Sequence, residues 1–271
     1  MLKLVILIIY FAVLIGIGLY CRKHATDVNG FVLGGRSVGP WLTAFAYGTS
    51  YFSAVVFVGY AGQFGWKYGI AATWAGIGNA IIGSLLAWVV LGRRTRIMSQ
   101  HLDSATMPQY FGKRFGSNPL KIGASVIIFI FLIPYTASLY NGLSRLFGMA
   151  FNIDYSVCII IMATLTAIYV IAGGYMATAI NDFIQGIIML FGIVAVIAAV
   201  IHSKGGFMSA LQGLANVSDP AVSDTPGIFA SFFGPDPFNL LCVVILTSLG
   251  TWGLPQMVQK FYAIDNEASI Q

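Results

Sequence analysis

The sequence predicts an all-α integral membrane protein with about seven transmembrane helices, on three observations. Of the 271 residues, 58% are hydrophobic and only 8% are charged, against roughly 25% charged in an ordinary soluble domain. So few charges cannot clothe a water-exposed surface. Second, the apolar residues fall in runs of about 17–25, the length a helix needs to cross a hydrocarbon core. Third, the runs show no barrel-like alternation, so they read as helices, whose backbone groups all pair internally in lipid.

Seven runs qualify: 2–20, 41–62, 70–91, 122–147, 155–172, 177–202 and 238–262. The first resembles a secretion signal, but it has no small-residue cleavage site, and Arg22 and Lys23 follow at once. A spanning helix with a basic flank fits it better. Between the sixth and seventh runs lies one long loop, with Pro220, Pro226, Pro235 and Pro237 and an expected surface helix at 208–215. The 31 glycines suit close helix packing, and the aromatic content of 14% suits interfacial anchoring.

The net charge of +5 is distributed as loop charge. Arg22, Lys23, Arg36, Arg93, Arg94, Arg96, Lys113, Arg114, Lys121 and Lys260 fall on one side of the seven runs. Lys3, Lys67, Arg145 and Lys204 fall on the other. The richer side is cytoplasmic by the positive-inside rule, which puts the N-terminus outside. The expected location is the cell membrane, specifically a bacterial inner membrane. The lipid bilayer is the expected partner, and no nucleic acid is expected.

Two runs are not plain hydrophobic rods. The second carries Gly48, Thr49, Ser50 and Ser53 near its middle. The seventh is interrupted by Gly250, Gly253 and Pro255. Proline removes a helix hydrogen bond, and glycine lowers the cost of unwinding. A break frees carbonyls for a cation and half-helix N-termini for an anion. Interrupted spans in matching places of two repeats point to a transporter's central site. The competing reading is that these residues serve only close packing and a kink.

Asp182 is the other feature, in Asn181-Asp182-Phe183 at or inside the sixth run. A carboxylate at mid-membrane costs about 2.5–3.5 kcal/mol on insertion scales, so it usually lines a polar cavity. From position alone, Asn181 and Asp182 serve equally well as caps that begin the helix. Cys21, Cys158 and Cys242 are scattered and form no metal spacing. No nucleophile–base motif is visible, so the chain is not expected to be an enzyme, and no metal-ligand motif is visible either.

Several segments together resemble the sodium:solute symporter family, which includes pantothenate, proline and sugar carriers. They are Phe31-Val-Leu-Gly-Gly-Arg-Ser-Val-Gly, Ser50-Tyr-Phe-Ser-Ala, Lys67-Tyr-Gly, Ala167-Ile-Tyr-Val-Ile-Ala-Gly-Gly-Tyr with Asn181-Asp-Phe-Ile-Gln-Gly, and Gly253-Leu-Pro-Gln-Met-Val-Gln-Lys. The resemblance implies the inverted-repeat fold of the bacterial leucine transporter, preceded by one extra helix. The expected domains are the extra helix at 1–22, a first five-helix repeat at 38–202, an extracellular loop at 203–237, and the first helix of a second repeat at 238–271.

By the same resemblance, Thr49 and Phe52 would offer carbonyls to Na+, the coupling ion, and Asp182 would bind it or line its exit. Ser50, Ser53, Trp252 and Gln256 would face the substrate. Gly48, Gly250, Gly253 and Pro255 would be the helix breaks. Tyr51 stands where proline carriers have an aspartate, and Val56 where sugar carriers have a glutamine. The expected activity is sodium-coupled symport of a small polar solute by alternating access. A carboxylate such as pantothenate is the first expectation, and an amino acid the second. The relatives are longer, so the alternative is a truncated or split gene whose product does not transport alone, or a half-transporter needing the missing C-terminal half as partner. A channel is the third reading.

Overall fold

In a computed structural model of the chain, residues 2–52 and 60–270 are described, and every long element is helical. The helices are α1 (Leu2–Cys21), α2 (Val28–Leu33), α3 (Pro40–Tyr51), α4 (Ala61–Tyr68), α5 (Thr73–Gly78), α6 (Arg93–His101), α7 (Met107–Phe115), α8 (Asn118–Phe151), α9 (Tyr155–Ser203), α10 (Phe207–Ala215), α11 (Pro237–Gly250) and α12 (Pro255–Ala263). Between α5 and α6 the backbone stays helical but widens to π geometry over Asn79–Leu86 and Trp88–Gly92.

Local chemistry starts these helices where the backbone needs it. The first N–H groups of a helix lack intrahelical partners. Asp27 accepts from Gly30 N at 3.1 Å for α2, and Asp236 accepts from Asn239 N at 3.0 Å for α11. Thr106 accepts from Gln109 N at 3.4 Å to cap α7, while the Gln109 side chain reaches back to accept from Ala105 N at 3.0 Å. Proline stands in the first turn of α3, α7, α8, α11 and α12, where its missing N–H costs nothing.

Among the described residues, three helices are long and apolar enough to cross a membrane: Ala61–His101, Asn118–Phe151 and Tyr155–Ser203. Pro237–Gly253 with Pro255–Ala263 makes a fourth as one broken span, and Val5–Cys21 is a shorter apolar helix. α9 holds two of the runs read from the sequence. Its 49 residues would extend for roughly 73 Å, more than twice the hydrocarbon thickness of about 30 Å. Gly174 breaks it, at φ 58° and ψ −150°. Large apolar side chains on α8 and α9 are exposed, among them Phe129, Phe131, Ile171 and Phe191. Faces of this kind are costly in water and ordinary in lipid.

The chain divides into two compact units. The first comprises Met1–Val55, Trp88–Gly186 and Leu254–Gln271. Its buried centre includes Leu33, Val38, Tyr47, Met257, Phe261 and Tyr262. Trp88 packs edge-on against Phe261 at 4.7 Å and against Tyr47 at 5.4 Å. The second comprises Val56–Ala87 and Ile187–Gly253. There Tyr68, Ala71, Ala75, Leu240 and Val244 form the core, and Gly78 lets α5 press against Val244 of α11. Trp74 donates its indole N–H to Phe232 O at 3.0 Å, which fastens the loop before α11. The expected surface helix is α10, at Phe207–Ala215.

Candidate functional site

Within the first unit, three chain segments meet at one end of α12. The turn at Gly34, Gly35 and Arg36 has positive φ at all three residues, 59°, 66° and 56°. Glycine takes that conformation freely, whereas arginine does so at a cost of about 1–3 kcal/mol unless its surroundings hold it there. Here they do. The Arg36 guanidinium donates to Ser99 Oγ (3.2 Å), Ser99 O (3.2 Å), Ser104 O (2.8 Å) and Tyr262 O (3.2 Å). Burial first, and then the nearby Arg96, lower its pKa from the ordinary value.

Arg96, itself buried, donates to Ile264 O at 2.6 Å and Asp265 O at 2.9 Å. The last carbonyls of a helix have no intrahelical donor and carry its negative dipole end. Two arginines therefore tie the end of α12 to the turn before α3 and to α6. Gln259 adds a side-chain bond to Val32 O.

Beside this end lies a cavity of about 760 Å³. α3 contributes Thr49 and Ser50, α12 contributes Pro255, Gln256 and Gln259, and α8 contributes Ser125, Tyr135 and Thr136. Thr49 turns its hydroxyl back onto Phe45 O at 2.9 Å. Gln256 differs: its Oε1 and Nε2 are both buried, and neither has a hydrogen-bond partner among the described residues. An unpaired buried polar group costs about 1–3 kcal/mol. A buried amide with a free donor and a free acceptor suits a polar occupant.

Asp182 is not a cap. The helical stretch restarts after Gly174, so Asp182 stands two turns inside it. Its Oδ2 lies 3.5 Å from Lys260 Nζ, on side chains 24% and 7% exposed. Lys260 also sits 4.9 Å from the centre of the Tyr175 ring. The sequence reading treats Lys260 as a loop cation beyond the last span, but it is a buried residue of α12. Without it, nine residues remain on the basic side.

The other predicted positions divide. Thr49, Ser50, Pro255 and Gln256 come together at the cavity. Phe52 ends α3 with φ −89° and ψ 65°, and its N–H is bonded to Gly48 O at 2.9 Å. Gly48 itself is helical. Gly250 ends α11, Gly253 closes the 3₁₀ turn Thr251–Gly253, and Leu254 is extended before Pro255. Trp252 belongs to the second unit, and its indole N–H donates to Ile82 O at 3.0 Å. Ser53 lies outside the described residues. The sequence reading did not single out Arg36 or Lys260 for these contacts. The signal was present, since both stand inside segments that carry the family resemblance.

Long helices with apolar faces, and a span broken beside a cavity lined by both apolar and polar side chains, define an integral membrane protein. The chain matches the sodium:solute symporter family over residues 31–271. It belongs to that family, which is one of membrane transporters and not of enzymes. It is 31% identical over 259 residues to an osmoregulated proline transporter of Bacillus subtilis (strain 168), covering 94% of this chain and 51% of the relative. It is 32% identical over 274 residues to a sodium/proline symporter of Staphylococcus aureus (strain JH9), covering 96% of this chain and 49% of the relative. The chain thus spans about half the length of the curated relatives it matches.

Proposed function

We propose that the protein couples the entry of Na+ to the uptake of a small polar solute bearing a carboxylate, by alternating access. The buried, unpartnered amide of Gln256 beside Thr49 and Ser50 carries this reading. A carboxylated solute would take the Nε2 donor, and its amine or hydroxyl the Oε1 acceptor. Sodium would sit where α3 stops, at the carbonyls of Thr49 and Phe52, with Asp182 binding it or lining its exit. Relatives named as proline transporters put an amino acid such as proline ahead of pantothenate, although Tyr51 replaces the aspartate expected of proline carriers.

The finer fold belongs to the same proposal. Seven spans, with α9 counted as two, would place an extra helix before a first repeat at 38–202, a loop at 203–237 and the opening helix of a second repeat, in the leucine-transporter arrangement. The N-terminus would face outward. The test is uptake of labelled proline and pantothenate into proteoliposomes with and without an inward sodium gradient. Uptake of one of them that is saturable and at least tenfold stimulated by the gradient is expected. Uptake indifferent to sodium overturns the reading.

The coverage of about half of each relative supports a second reading, in which these residues act only with a separate C-terminal remainder. Restoration of uptake on co-expression with the C-terminal half of a relative would establish it.

A further inference from the structure

The geometry points to Lys260 as a tethered cation that holds the Asp182 carboxylate and is displaced from it when the coupling ion binds. This rests on the reading of Asp182 as a sodium ligand given above. Three observations lead to it. First, the contact is loose: 3.5 Å between Lys260 Nζ and Asp182 Oδ2, where a tight charge-assisted bond measures about 2.7–2.9 Å. Second, Lys260 is the one cation in ion-pair distance of Asp182 among the described residues. A carboxylate has about four lone-pair sites, so acceptor capacity remains for a second cation.

Third, the surroundings hold uncommitted polar groups. Tyr175 stands seven residues before Asp182, two turns along the same helix face. Its ring lies under the ammonium, while its hydroxyl is buried with no partner among the described residues. Asn181, 1% exposed, likewise has both amide atoms unpaired. A monovalent cation seeks oxygen ligands and has no use for a ring face alone. A carboxylate with oxygens to spare beside it suits such an ion. The ammonium on its flexible stem supplies the same charge when the ion is absent.

The position of Lys260 gives the exchange a consequence. Two residues further on, Tyr262 O is held by Arg36, and Ile264 O is held by Arg96. A lysine that loses its carboxylate cannot stay buried and unpaired without a large penalty. Its departure would pull on the end of α12 that these arginines fasten. Ion arrival at Asp182 would thus be transmitted along α12 to the turn before α3.

The test uses the intact protein in detergent and in proteoliposomes. ²²Na+ binding is measured for the wild type, Lys260→Gln, Lys260→Arg, Asp182→Asn and the double variant Lys260→Gln/Asp182→Asn. Removal of the competing charge is expected to tighten sodium binding about tenfold in Lys260→Gln. Lys260→Arg is expected to stay within about threefold of the wild type, and Lys260→Gln to have no effect once Asp182 is Asn. Unchanged or weakened sodium binding in Lys260→Gln overturns the proposal and leaves the pair a structural one. Should that variant fail to fold, amine-directed labelling of Lys260 in the wild type decides. Sodium, but not choline, is expected to raise its labelling at least threefold, and equal labelling overturns the proposal. A wild type that binds no sodium overturns the reading of the function itself, which separates the two failures.

Discussion

Val38 and Ile264 pair as a single parallel β-bridge, with Val38 N–H donating to Ala263 O at 3.3 Å and Val38 O accepting from Asp265 N–H at 3.1 Å. The residue just before α3 is thereby stitched to the residues just after α12. These are the helices from which the cavity draws Thr49, Ser50 and Gln256. The residues around this bridge give the clearest tests.

Arg36 is the side chain that fastens this junction most heavily. Arg36→Ala removes four hydrogen bonds, to Ser99 Oγ, Ser99 O, Ser104 O and Tyr262 O, of which Ser99 O keeps the Ser104 N–H as a donor. The expected loss is about 2–3 kcal/mol, in line with hydrogen bonds to a charged group. Arg36→Lys should recover little of it, because an ammonium lacks the planar fork that reaches several acceptors. Thermal unfolding of the purified protein checks both. The nearby Arg93–Glu267 pair, 3.4 Å apart but 59% and 46% exposed, is the control. Glu267→Gln should change stability by less than about 1 kcal/mol.

Gly186 marks where α9 presses on α3. A Cβ there would lie 2.6 Å from Phe45 Cδ1 and 3.1 Å from Thr49 Cγ2. The Phe45 ring is itself wedged edge-on against Phe183 at 4.8 Å, so it has little freedom to yield. Gly186→Ala should cost about 1–3 kcal/mol by overpacking, and Gly186→Val more. Because the displaced neighbour includes Thr49, sodium-dependent uptake should fall further than the midpoint shift explains. Paired stability and uptake measurements read this out.

Gln256 separates stability from function. Its amide gains nothing from the described protein, so Gln256→Leu removes an unsatisfied polar group and adds apolar contact. Stability should hold or rise, since replacing an unpaired buried group by an apolar one of like shape is neutral or favourable. Solute binding should weaken at least tenfold. Equilibrium binding of the labelled solute beside a melting curve checks the prediction, and a joint loss of both would make Gln256 merely structural.

Trp252 gives the opposite pattern. Its N–H is bonded to Ile82 O, so Trp252→Phe should cost about 1 kcal/mol with solute affinity within about threefold of the wild type. A fall in affinity with an unchanged midpoint would instead place the indole at the solute, as the sequence resemblance implies.

Much of the helical plan was legible because it depends on short-range rules. The run at 2–20 is α1, the run at 122–147 lies within α8, and the runs beginning at 41 and 238 start one residue after Pro40 and Pro237, the first residues of α3 and α11. Two runs read as separate fall on α9 because Gly174 breaks the element without ending it for long. The site was less legible. Thr49 and Ser50 stand out locally as polar residues in an apolar span, whereas Gln256 was pointed to only by the family resemblance; all three line the cavity. Lys260 was misplaced because a basic residue at the end of an apolar run ordinarily marks a loop, and nothing near it in sequence offers a counter-charge.

By itself, the sequence determined the membrane setting, the helical class and the interruption at Gly250–Pro255. Each follows from composition and from the backbone's need to pair its own groups in lipid. Only the tertiary structure decided what Asp182 and Arg36 do. Their partners, Lys260 and the carbonyl of Tyr262, stand 78 and 226 residues along the chain. Charge pairing and capping over such separations depend on which helix ends meet, and no local pattern encodes that.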